Sequence, residues 1–90
     1  MGTPEFYFAI EFSGPGVPAG LLGDLTLRVI GHAGCVREEV ADVPDALERA
    51  VAATGADRRC DVQFLANGGR LEIVVSSNGG RVWQVSCRIP

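Results

Sequence analysis

The sequence predicts an α+β fold, a two-layer sandwich in which a mostly antiparallel sheet of four to five strands is covered on one face by two helices. Three observations carry this. Residues 60–90 hold three stretches of strict apolar alternation, joined by Asn-Gly-Gly runs. An earlier stretch, residues 7–13, alternates in the same way but has no neighbouring partner. Between these lie two segments with apolar residues at helical spacing. A period of two places each apolar set on one face of a pleated sheet, and a period near 3.6 places it on one helix stripe.

In chain order, Met1–Phe6 (MGTPEF) has no periodicity and reads as a vector-derived leader, so the domain is expected over residues 7–90. Phe8, Ile10 and Phe12 then alternate with Tyr7, Ala9, Glu11 and Ser13, which predicts a strand. The Ser13-Gly14-Pro15-Gly16 run ends it. With no hairpin partner following, this strand must pair with the distant C-terminal strands.

A helix is expected from Pro18 to about Ala33. Pro18 suits a first turn, and Leu22, Leu25, Val29 and Ala33 form the stripe, widened by Leu21. Asp24 and Arg28 are an outward i,i+4 pair, and Gly31 and Gly34 mark the end. Residues 36–43 fit either period, and Pro44 disfavours helix at Val43, so an extended or irregular segment is expected. Asp42 is placed to cap a second helix over Pro44–Thr54, with Leu47, Ala50, Val51 and Thr54 inward and Gly55 past its end.

The last third is the best defined. Cys60, Val62, Phe64 and Ala66 alternate with Asp61, Gln63 and Leu65. Leu71, Ile73 and Val75 alternate with Arg70, Glu72 and Val74. Trp83, Val85, Cys87 and Ile89 alternate with Val82, Gln84, Ser86 and Arg88. Asn67-Gly68-Gly69 and Ser77-Asn78-Gly79-Gly80 supply the positive φ that tight hairpins need. Helices on one face leave Leu65, Val74 and Val82 as an outer apolar patch, a candidate interface for another protein or for a homodimer.

Composition limits the function classes. The chain has 90 residues, a net charge of -3 and 47% hydrophobic residues, which suits one folded domain. All eight cations are Arg and they form no basic patch in sequence, which argues against nucleic acid. No apolar run approaches the ~20 residues of a membrane span. Cys35, Cys60 and Cys87 lack metal-type spacing, and with His32 as the lone histidine they read as free thiols in a reducing cytoplasm, with no metal or other cofactor.

Chemistry-bearing residues are few. His32, near the end of the first helix, is the one phosphoacceptor-type side chain; its plain reading is a helix-end histidine favoured by the dipole. No Ser sits in a nucleophile motif, so an enzyme is not expected. Glu38, Glu39, Asp42, Asp45 and Glu48 form an acidic group around a helix start.

The order of a helix, then "CDVQFLANGGRLEIVVSSNGG", then "RVWQVSCRIP" resembles the ATP-binding (GHKL-like) domain of histidine kinases and anti-sigma-factor kinases, over roughly residues 45–90. That family carries a Glu and, four residues on, a magnesium-binding Asn. Here Glu48 matches the first and Ala52 stands at the second. The family's adenine-reading Asp-x-Gly-x-Gly corresponds to Ser77-Asn78-Gly79-Gly80-Arg81, where Ser77 replaces the Asp, Gly79 matches the first Gly and Arg81 occupies the second. The lid and second phosphate loop have no counterpart. The resemblance therefore implies a cut-down relative that has lost nucleotide binding and acts as a regulatory interaction module in signalling or partner switching. The alternative is a ferredoxin-like small-ligand sensor or dimerisation domain, which requires a strand across residues 36–42.

Overall fold

The computed structural model describes residues 5–13, 20–54 and 59–89. The elements run β1 (Phe6–Ser13), α1 (Leu21–Ala33), a 3-10 turn (Arg37–Glu39), α2 (Val43–Ala52), β2 (Arg59–Asn67), β3 (Arg70–Ser77) and β4 (Gly80–Arg88). The four strands form one antiparallel sheet in the order β1-β2-β3-β4. This is the expected α+β sandwich, with four strands. The expected helix start at Pro18, the Ser13-to-Gly16 stop beyond Ser13 and the Gly55 terminator lie outside the described residues.

The register explains the core. Phe8 pairs with Phe64, which pairs with Ile73, which pairs with Val85. All four side chains share the helix-covered face, because paired residues in an antiparallel ladder point the same way. Val62, Phe64, Leu71, Ile73 and Val75 are fully buried there, with Leu47 of α2 set against them. Trp83, opposite Val75, is half-buried and packs on the same cluster. Both hairpins are two-residue turns with positive φ at both central positions: Gly68 (62°) and Gly69 (79°), then Asn78 (51°) and Gly79 (82°). Turns of this handedness match the twist of the flanking strands, which fixes the meander's register.

Helix α1 is turned relative to the expected stripe. Leu22 and Ala33 are buried as expected, but Gly23, Thr26 and Ile30 complete the inner face. Leu25 and Val29 are half-buried, and Leu21 is exposed. Thr26 escaped the sequence reading because it is polar. Its hydroxyl donates to the Leu22 carbonyl at 2.7 Å, so it enters the core with its donor satisfied. Gly34, with φ of 81°, closes α1 by donating its N–H to the Ile30 carbonyl at 3.0 Å, whereas Gly31 lies inside the helix.

Residues 36–42 are neither an extended segment nor a strand. Glu39 N donates to Val36 O at 3.1 Å, and Val43 N donates to Val40 O at 3.1 Å. Val40 is buried, and the Arg88 guanidinium donates to Glu39 Oε2 at 2.6 Å. One buried valine and two ties to Arg88 of β4, this one and the Val36 N–H donated to its carbonyl at 3.4 Å, thus hold a tight turn that the alternation of this stretch does not disclose. Asp42 occupies the cap position of α2 but makes no side-chain cap bond, and Pro44 sits in the first turn as expected.

Candidate functional site

The positions suggested by the kinase-type resemblance lie on α2 and on the β3–β4 hairpin. Glu48 projects from α2 toward α1, where its Oε1 accepts the Gly23 N–H at 2.8 Å. Gly23 lies in the first turn of α1, whose early N–H groups have no partner within the helix. The capping residue Gly20 brings no side chain, so the carboxylate of α2 does this work from across the helix pair. Ala52 is exposed and has no ligating atom. Ser77 ends β3, opposite Cys60 and Gly80, and Asn78-Gly79 are the two turn residues of the β3–β4 hairpin. Three cavities among the described residues, of about 430, 380 and 250 Å³, are lined by neither Glu48 nor these hairpin positions.

His32 lies in the last turn of α1 and is exposed, and its ring sits 5.5 Å from that of Phe6. Phe6, the last residue of the expected leader, extends β1 opposite Ala66. His32 borders a cavity of about 380 Å³ between α1 and β1, lined also by Phe6, Phe8, Leu25, Arg28 and Val29. No carboxylate lines it, so it offers His32 no acidic partner to tune proton or phosphoryl transfer. A second cavity of about 430 Å³ lies beside Leu27, Ile30, Cys35 and Val40. Among the described residues no group of three His, Cys, Asp or Glu side chains is arranged to hold a metal ion.

The three cysteines are free. Cys60 and Cys87 are buried and Cys35 is half-buried. Burial pushes all three thiols up, Cys87 to about 11, with the nearby Cys35 and Glu39 adding to its shift. These thiols stay protonated near neutrality, the opposite of what a nucleophile or metal ligand needs.

The outer face of the sheet is the remaining feature. No helix covers it. Its rows read Tyr7–Leu65–Glu72–Ser86, then Ala9–Gln63–Val74–Gln84, then Glu11–Asp61–Ser76–Arg81. Leu65 is 42% exposed, Val82 is 46% exposed and Val74 is half-buried. Tyr7, opposite Leu65 and 57% exposed, joins them, so an apolar strip crosses the sheet diagonally from β1 to β4. Tyr7 was overlooked as an interface residue, although its alternation with Phe8 already put it on this face. Val82 sits at a bulge: Val75 pairs with Trp83 but Ser76 pairs with Arg81, leaving Val82 between them. The polar side chains beside the strip satisfy one another. Gln63 Nε2 donates to Asp61 Oδ2 at 2.9 Å, and Arg81 Nη1 donates to Gln84 Oε1 at 2.7 Å.

Compared with models of known families, with characterised proteins and with solved structures, the chain finds no match.

Proposed function

We propose that this chain is a non-catalytic regulatory domain that binds another protein through the outer face of its sheet. The observation that carries the proposal is the diagonal strip of Tyr7, Leu65, Val74 and Val82, which leaves apolar side chains exposed on a face that no element among the described residues covers. Amphipathic sheets normally put polar residues outside, so apolar side chains grouped there suit contact with a partner.

Kinship with the histidine-kinase and anti-sigma-factor type of ATP-binding domain remains part of this proposal. It is supported by the order strand, helix, helix and three-strand meander. Loss of nucleotide binding is supported by how its positions are used. Glu48 caps α1, Ala52 lacks an oxygen, and Ser77 to Gly79 form a hairpin turn. A domain of this kind acts by occupying or releasing a partner, as in partner switching. The buried free thiols suit a reducing, cytoplasmic setting. The ferredoxin-like alternative loses its premise, because residues 37–39 form a 3-10 turn where it needs a strand.

The test is affinity capture from a native lysate with the parent chain beside Leu65→Lys and Val74→Lys. A partner held by the parent and lost from both variants supports the outer face. A partner held equally by all three removes the assignment.

A further inference from the structure

The two open edges of the sheet are treated differently. Edge strands with free N–H and C=O groups pair with other chains unless something blunts them. The β4 edge carries three such devices. It has the bulge at Val82, it bears the exposed Arg81 and Arg88, and its Arg88 carbonyl already accepts the Val36 N–H at 3.4 Å. Among the described residues the β1 edge carries none of the three. Phe6–Ser13 is a regular eight-residue strand without Pro, Lys, Arg or a bulge, in unbroken register with β2. Its single charge, Glu11, meets Arg59 of β2 at 3.3 Å.

The layer above β1 is also incomplete. Phe8 points to the helix side and stacks on Phe64, with ring centroids 5.9 Å apart, yet it is 42% exposed. The 380 Å³ groove lies between it and Leu25, Arg28 and Val29 of α1.

We propose that two copies of this chain join through β1, edge to edge and antiparallel, forming one eight-stranded sheet with all four helices on one side. The sequence of β1 suits itself as this partner. A two-fold axis that keeps the helix-covered faces aligned must pass through a residue, because paired residues share a face. An axis through Ala9 sets Ala9 against its own copy, the smallest side chain of the strand. Phe8 then faces the partner's Ile10, and Phe6 the partner's Phe12, which continues the apolar layer across the junction. Glu11 faces the partner's Tyr7 and not a second Glu11, so no like charges oppose each other. Such a junction buries on the order of 1,000 Å², the low end for specific interfaces, so association is concentration-dependent. Of the outer-face strip only Tyr7 reaches this junction, and Val74 lies on β3, two strands from the β1 edge.

Sedimentation of the parent chain, Ala9→Lys, Ala9→Glu and Val74→Lys across a concentration series tests the proposal. Ala9 is exposed, so these charges do not enter the core. The parent and Val74→Lys are expected to dimerise. Ala9→Lys and Ala9→Glu alone are expected to weaken dimerisation at least tenfold, and their equimolar mixture to restore it. A parent chain that stays monomeric throughout overturns the proposal. So does dimerisation untouched by either Ala9 charge, or dimerisation abolished by Val74→Lys.

Discussion

The carboxylate of Glu48 accepts the Gly23 amide hydrogen at 2.8 Å, joining two helices across 25 positions of sequence. This bond replaces the missing side-chain cap of α1. Glu48→Ala should lower unfolding stability by about 1 kcal/mol, the usual cost of losing a helix cap, read as a fall in the urea midpoint at constant slope. Gly23→Ala should be neutral or slightly stabilising. Its Cβ would lie 3.4 Å from Glu48 Oε1 and 3.5 Å from Cγ, ordinary contacts against a flexible side chain, while Ala favours the helix. A large loss in Gly23→Ala would mean that the two helices are packed more tightly there than this spacing allows.

The thiols give the fold a one-sided alkaline limit. Cys87 rises from an ordinary 9.0 to about 11, chiefly because burial disfavours the thiolate. Above pH 9 the unfolded chain sheds this proton while the folded chain keeps it. The contribution to stability is therefore complete below pH 9 and is lost as pH climbs toward 11, with Cys35 and Cys60 acting in the same direction. Urea midpoints taken from pH 8 to 11 should fall steadily, and Cys87→Ala should flatten the fall. In the native state an aromatic disulfide reagent at pH 8 should modify the half-buried Cys35 first and reach Cys60 and Cys87 only on unfolding.

Phe64 and Leu65 are adjacent in β2 yet face opposite ways. Phe64 is fully buried beneath the helices and Leu65 is 42% exposed on the outer face. Phe64→Ala should cost about 3–5 kcal/mol through lost burial and the cavity left behind. Leu65→Ser should change stability by only about 0.5 kcal/mol while weakening partner capture. Comparable losses in both would mean that the outer face is covered.

The C-terminal meander was legible because two independent signals agree there. Alternation assigns each side chain a face, and Gly68-Gly69 and Asn78-Gly79 set the turn type. That β1 joins the meander was legible only as a consequence, since a strand with an apolar face and no neighbour must find one further along; that its partner is β2 was not. Three features were hidden for physical reasons. Thr26 reads as polar but satisfies its own hydroxyl on the helix backbone. The turn at 37–39 depends on Glu39 reaching Arg88, a contact across 49 positions that local pattern cannot anticipate. Glu48 stands where a family motif would put it, but its oxygen is used between the helices, which only three-dimensional placement reveals. The outer strip was partly legible. Leu65, Val74 and Val82 follow from alternation, whereas the bulge that leaves Val82 without a cross-strand partner leaves no mark in the spacing.

The central claim is that the residues matching a nucleotide site serve the fold instead. Calorimetric titration of the chain with ATP and Mg²⁺, beside Glu48→Gln, tests it most directly. The account predicts no saturable heat from either protein. Micromolar binding by the parent chain that disappears in Glu48→Gln would contradict it.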